Sequence, residues 1–231
     1  PYSSYFEDLD ALLIAAKKSK AKILYLSNPD NPMGTFHPKD HMQDFIDKIP
    51  DDTILCLDEA YADFVDKNEL ASIDLEKENV IRFRTFSKAY GLAGLRVGYG
   101  IGNKKMVKAF NKVRNHFGVN KLGQIAAKVA LEDKDHLKTV LKKVDQSKKD
   151  IAAVFQRFGF TSLSSRTNFV PVNSGGDGKF AAKLMRSLIQ EKIFVRMPSV
   201  SPLNSFIRIT AGTSDDLTVL DNALNKRIKK I

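Results

Sequence analysis

Val80-Ile81-Arg82-Phe83-Arg84-Thr85-Phe86-Ser87-Lys88-Ala89-Tyr90-Gly91-Leu92-Ala93-Gly94-Leu95-Arg96-Val97-Gly98-Tyr99 is the stretch on which the fold turns. Val80 to Arg84 is short and apolar-rich, as a strand inside a sheet is, and it ends at Thr85-Phe86-Ser87-Lys88. A further strand is expected from about Leu95 to Ile101, with Arg96 as a charged residue that must find a partner or reach solvent. Upstream, Thr53 to Leu57 reads as a strand that ends at Asp58, followed by Glu59-Ala60-Tyr61. Further upstream, Ala21 to Leu26 reads as a buried strand that runs into Ser27-Asn28-Pro29-Asp30-Asn31-Pro32-Met33-Gly34. Two prolines and a glycine prevent that segment from continuing the strand. Between these strands Met42, Phe45, Ile46 and Ile49 recur at the spacing of an amphipathic helix. Strands alternating with helices predict an α/β fold with a mostly parallel central sheet and helices on both faces. Such sheets bind ligands beyond the carboxyl ends of their strands, where this sequence places Asn31, Asp58 with Tyr61, and Lys88.

Downstream, helical patterns cover about Lys104 to Val113 and Lys121 to Glu132. A long charged helix is expected from Lys134 to Phe158, stopped by Gly159. The texture then changes. Asn168 to Val172 is strand-like, Gly175 to Gly178 is a loop and Lys179 to Glu191 a helix. Short strands are expected at Ile193 to Arg196 and Phe206 to Thr210, and a helix from Asp215 to Lys230. We read residues 1–133 as part of a large α/β domain, and residues 134–231 as a connecting helix and a smaller C-terminal α+β domain.

The chain has 231 residues, 43% of them hydrophobic, enough for a packed core. One cysteine, Cys56, excludes an internal disulfide and a cysteine-based zinc cluster, in keeping with a reducing, cytoplasmic setting. No apolar run reaches the ~20 residues that span a bilayer. The net charge of +10 comes from 37 basic and 27 acidic residues. The basic groups, such as Lys142, Lys143, Lys148 and Lys149, or Lys226, Arg227, Lys229 and Lys230, read as solvated helix faces rather than a nucleic-acid site. His37, His41, His116 and His136 have no paired metal spacing, and no metal is expected. Gly175 to Gly178 lacks the context of a dinucleotide loop.

Four blocks together resemble the fold-type I pyridoxal-phosphate enzymes, the aspartate aminotransferase-like fold, and within them the histidinol-phosphate aminotransferase group. They are Asn28 to Gly34, Asp58 to Tyr61, Arg84 to Tyr99, and Ile207-Arg208-Ile209-Thr210-Ala211-Gly212-Thr213. They occur in the family's order and span nearly the whole chain. The resemblance implies that Lys88 is the amine that bonds to the cofactor aldehyde and moves protons. It implies that Asp58 holds the proton of the pyridine nitrogen and that Asn31 and Tyr61 donate to the ring's phenolic oxygen. Thr85, Ser87 and Arg96 would hold the cofactor phosphate, and Arg208 an anionic group of the substrate. The implied reaction exchanges an amino group between a small-molecule donor and a keto acceptor. The expected pair is histidinol phosphate with 2-oxoglutarate, in histidine biosynthesis, in a homodimer that engages neither nucleic acid nor membrane.

The sequence departs from the family at Met33, where threonine is usual. The family also has a segment before this chain's start, with a helix N-terminus for the phosphate, an aromatic that stacks on the ring and a tyrosine crossing the dimer interface. An N-terminally truncated chain is therefore expected, with weakened cofactor affinity. The same motifs serve aminotransferases of aromatic or other amino acids and decarboxylases of phosphorylated amino acids. A basic relative that has lost catalysis and acts as a binding module is a third alternative.

Overall fold

The structure, a computed structural model, describes residues 1–228. It divides into two compact units, one of Pro1–Asp30 with Phe36–Lys138, the other of Asn31–Thr35 with the chain from Thr139 onward.

The first unit opens with a hairpin of β1 (Tyr2–Ser3) and β2 (Phe6–Glu7). Its turn residues Ser4 and Tyr5 have φ of 48° and 70°, the left-handed pair of a two-residue hairpin turn. Helix α1 (Leu9–Ser19) begins where the Asp8 carboxylate accepts from the Ala11 N–H. Then come β3 (Ile23–Ser27), α2 (Lys39–Asp47), β4 (Ile54–Asp58), β5 (Val80–Thr85) and β6 (Gly98–Gly102). The sheet order is β3-β4-β5-β6; the first three strands are parallel and β6 runs antiparallel to β5. This is the mixed, mostly parallel sheet of an α/β protein.

The fourth strand corrects the sequence reading. It starts at Gly98, not Leu95, because Ala93–Leu95 is a 3-10 turn and Arg96 follows it with φ 54° and ψ 50°, a left-handed conformation no strand admits. Arg96 is therefore a turn residue, not a charge inside an apolar strand. Gly98 sets the start for a steric reason, since a Cβ there would lie 2.7 Å from the Arg84 carbonyl oxygen.

One face of the sheet carries Leu24, Leu26, Leu55, Leu57 and Val80, all buried against Leu13 and Ala16 of α1 and Met42, Phe45 and Ile46 of α2. Each large side chain removed from water there contributes about 1.5–3 kcal/mol. The opposite face differs from the buried strand expected at Ala21 to Leu26, since Ile23 and Tyr25 are 66% and 58% exposed. On that face Phe83 meets Phe110 of α3 (Lys104–Val113) edge-on, with centroids 6.3 Å apart. Helix α4 (Lys121–Glu132) is capped by Asn120 and packs Ala127 against Phe86 and Val97.

The division between units falls inside α5 (Lys134–Gln156). Gly159, with φ +81°, ends that helix, and the Phe160 N–H turns back to the Phe155 carbonyl. In the second unit β7 (Thr161–Ser162), β8 (Phe169–Asn173) and β9 (Phe206–Thr210) form an antiparallel sheet, with α6 (Gly178–Gln190) and α7 (Ser214–Arg227). Its core joins Ile151 and Phe155 of α5 to Val170, Val172, Leu184, Leu188, Ile207 and Leu224. The strand expected at Ile193 to Arg196 reduces to a single bridge between Arg196 and Arg208. Lys192, at φ 63°, and the Ile193 N–H are still tied to carbonyls of α6, so only Arg196 comes into register with β9. Of the helix expected to run to Lys230, the last residues, Lys229 and Lys230, lie outside the described residues.

Candidate active site

Parallel register brings the chemistry of the first unit to one end of its sheet. Asp58, the last residue of β4, pairs with Ser27 on one side and Phe83 on the other. Its Oδ1 accepts the Ala60 N–H at 2.9 Å and its Oδ2 the Tyr25 hydroxyl at 2.6 Å. Tyr61, three residues on, is buried, and the Lys88 ammonium lies over its ring, 5.3 Å from the centroid. Lys88 leaves β5 by a tight turn in which the Gly91 N–H returns to the Lys88 carbonyl, with Gly91 at φ +70°.

Thr85, Ser87 and Arg96 form a group. The Thr85 hydroxyl donates to Ser87 Oγ at 2.9 Å, the Ser87 N–H donates to Thr85 Oγ1 at 3.0 Å, and Arg96 Nη1 lies 3.5 Å from Ser87 Oγ. These three, with Val97, Gly98 and Tyr99, line a hollow of about 390 Å³. Two hydroxyls and a guanidinium on one concave surface suit a phosphate dianion. Lys88, Asp58 and Tyr61 do not line that hollow.

Asn31 and Arg208 belong to the second unit. Arg208, on β9, stacks its guanidinium on Phe169 at 4.6 Å and donates from Nη1 to Asn31 Oδ1. With its oxygen so engaged, the Asn31 amide keeps Nδ2 as a donor. Asn168 contributes its backbone here, accepting the Ala211 N–H.

Within the first unit lies a polar scaffold that the sequence does not single out. Glu59 is 2% exposed and accepts from Arg82 Nη2 and, at 2.9 Å, from Arg84 Nε. Arg82, 3% exposed, also donates through Nη1 to the Ala71 and Ser72 carbonyls. The Glu59 N–H bonds the Phe83 carbonyl, so the turn carrying Asp58 and Tyr61 is tied to β5. Beside it burial raises the Asp63 carboxyl above its usual range, and Tyr90 is pushed up to about 12, first by burial and then by Asp63. The signal in the sequence was arginine in a strand that ought to be apolar. Tyr25 carries no such signal, since an aromatic inside a strand reads as core.

The remaining candidates take structural places. Cys56 is half-buried and burial raises its thiol. Burial lowers His37, whose ring Nε2 lies 2.9 Å from the Glu7 carbonyl oxygen. Among the described residues no group of three His, Cys, Asp or Glu side chains could hold a metal ion. Nor is any described helix long and apolar enough to cross a membrane.

The family profile "Aminotransferase class I and II" matches residues 2–224. Histidinol-phosphate aminotransferase 2 of Carboxydothermus hydrogenoformans is 35% identical over 217 residues, covering 92% of this chain and 59% of that protein. The protein of the same name from Hydrogenovibrio crunogenus is 37% identical, covering 98% of this chain and 61% of its own. The crystal structure of histidinol-phosphate aminotransferase from Sinorhizobium meliloti, in complex with pyridoxal-5'-phosphate, superposes with a TM-score of 0.98 at 42% identity. It covers 100% of this chain and 64% of that one. The chain thus spans about 60% of the length of the curated relatives it matches. By sequence profile, identity and fold, it belongs to the class I and II aminotransferases.

Proposed function

We propose that this protein exchanges an amino group between a small-molecule amine donor and a keto acceptor on pyridoxal phosphate, with histidinol phosphate and 2-oxoglutarate as its substrates. The observation that carries the reading is the end of the parallel sheet. There a lysine amine, a carboxylate and a hydroxyl–guanidinium cradle occur on consecutive turns, and the strand carrying Asp58 pairs with the one leading to Lys88. The curated relatives' names supply the substrate class.

The residues present fit the cofactor in chemical kind. When bound, pyridoxal phosphate supplies an aldehyde that condenses with amines and a ring that withdraws electrons from the carbon losing its proton. Lys88 would supply the amine for that bond and is the chain's own group for taking up the proton that the substrate loses. Asp58, acceptor-only when ionised, holds the proton at the ring nitrogen. Tyr61 would be a donor to the phenolic oxygen, and Asn31 of the second unit offers a donor of the same kind through its Nδ2. Thr85, Ser87 and Arg96 bind the phosphate. Arg208, presented by β9 and stacked on Phe169, would bind an anionic group of the substrate, the carboxylate of glutamate or the phosphate of histidinol phosphate. Association into a homodimer accompanies this reading. Val113, Phe117 and Leu122, exposed by 84%, 93% and 73%, are apolar side chains such an association would cover.

The test is the half-reaction. Incubated with pyridoxal phosphate and histidinol phosphate, the full-length protein should release imidazole acetol phosphate, and 2-oxoglutarate should then return as glutamate. Failure to form imidazole acetol phosphate, with carbon dioxide released when a phosphorylated amino acid is supplied in its place, would identify a decarboxylase and overturn the proposal. Sedimentation at micromolar concentration should give twice the chain mass; a monomer would remove the dimer.

A further inference from the structure

Asp58 is the residue whose surroundings the sequence least disclosed. Its Oδ1 is fixed by the Ala60 N–H, within its own turn. Its Oδ2 is held by a residue 33 positions away, the Tyr25 hydroxyl, at 2.6 Å. The contact follows from sheet geometry. Tyr25 pairs with Cys56 across the parallel β3–β4 ladder, so Asp58, two residues further, is its diagonal neighbour on the same face. An aromatic side chain spans that distance, and at 2.6 Å the bond has the length of a hydroxyl donating to an ionised carboxylate.

The phenol is suited to remain a donor. Burial of its hydroxyl end raises Tyr25 well above the usual tyrosine range, followed by the bond to Asp58 and the charges of Asp58, Glu7 and Asp30. Those three carboxylates are the ionisable groups bearing on it, and all oppose its ionisation. Phenylalanine at this position keeps the ring and removes only the hydroxyl.

We propose that Tyr25 is a positioning residue, fixing the plane and moderating the negative charge of the Asp58 carboxylate that faces the ring nitrogen of the cofactor. The inference rests on the reading of Asp58 given above. Without the Tyr25 hydroxyl, Asp58 is held at one oxygen only and turns about its side-chain bonds. Its charge, no longer shared with a donor, acts more strongly on the ring.

Tyr25→Phe, Asp58→Asn and the double variant of the full-length protein, with the unsubstituted protein alongside, test this. The readouts are thermal melting without cofactor, the dissociation constant of pyridoxal phosphate, and the pH midpoint of the bound cofactor's absorbance. Tyr25→Phe should melt only slightly lower than the unsubstituted protein, bind the cofactor about threefold more weakly because Asp58 is no longer held in one orientation, and titrate with a midpoint raised by about half a pH unit. Added to Asp58→Asn, it should change neither quantity further. Unchanged affinity and midpoint in Tyr25→Phe, or equal shifts with and without the Asp58 carboxylate, would overturn the proposal. A separate borohydride reduction of the unsubstituted protein distinguishes the deeper failure: if no cofactor attaches to Lys88, the reading of the site falls and this inference with it.

Discussion

Arg96 shows how one residue carries both strain and charge. Its left-handed backbone, φ 54° and ψ 50°, costs an L residue roughly 1–2 kcal/mol. A glycine would meet no such cost, so the position is held by its side chain, which reaches Ser87 and the Ala93 carbonyl. Arg96→Gly should therefore bind pyridoxal phosphate about ten- to a hundredfold more weakly, as loss of a charge-assisted contact implies, yet melt no lower than the unsubstituted protein. Fluorescence titration and a thermal scan check the two halves, and retained affinity would remove Arg96 from the phosphate site. Lys88, Asp58 and Arg96 stand out as candidates in the sequence because they sit in blocks with a recognisable order. The turn conformation of Arg96 was not, since Leu95-Arg96-Val97 alternates apolar and charged residues as a strand does.

At the scale of elements, the sheet depends on a buried charge group. Glu59 neutralises Arg82 where both are nearly inaccessible to water, and Arg84 adds a second donor. Glu59→Gln keeps the shape and strands the Arg82 charge, so unfolding in urea should show a loss of about 3–5 kcal/mol; a loss below ~1 kcal/mol, the worth of an exposed pair, would contradict this. The hairpin β1–β2 holds a second such device. Burial, reinforced by the charge of Asp30, raises Glu7 to about 8 from its ordinary 4.5. The folded state then binds more protons than the unfolded one between those values, so Glu7's contribution is full below about 4.5 and is lost as pH rises through about 8. Glu7→Gln should flatten that decline and melt a few degrees higher at the alkaline end, and a melting profile with the same slope as before would refute it. Neither device follows from local pattern, because each joins residues more than twenty positions apart, Glu59 and Arg82 through the β4–β5 ladder and Glu7 and Asp30 through the packing of the hairpin. The hairpin and α1 escaped for another reason. Two-residue strands have no period to detect, and α1 is signalled only by the Asp8 cap and the spacing of Leu9, Leu12, Leu13 and Ala16.

Over the whole molecule the sequence pattern carried the alternation of strands and helices, the parallel ladder and the change of texture after the long helix. What it could not carry was direction: β6 runs antiparallel because Arg96 and its turn reverse the chain, and a turn of mixed composition does not announce that. The second unit has a core of its own, with Phe155 at its centre and 0% exposed. Phe155→Ala should cost about 3–5 kcal/mol by cavity formation, measured by denaturant unfolding. A cost near zero would mean that α5 contributes little to that core.

The central claim is that Lys88 is the amine to which pyridoxal phosphate attaches. Reduction of the cofactor-loaded, full-length protein with borohydride, followed by digestion and mass spectrometry, tests it most directly. The account predicts a pyridoxyl phosphate adduct on the peptide containing Lys88, and its disappearance in Lys88→Ala. An adduct on another lysine, or none in the unsubstituted protein, would contradict it.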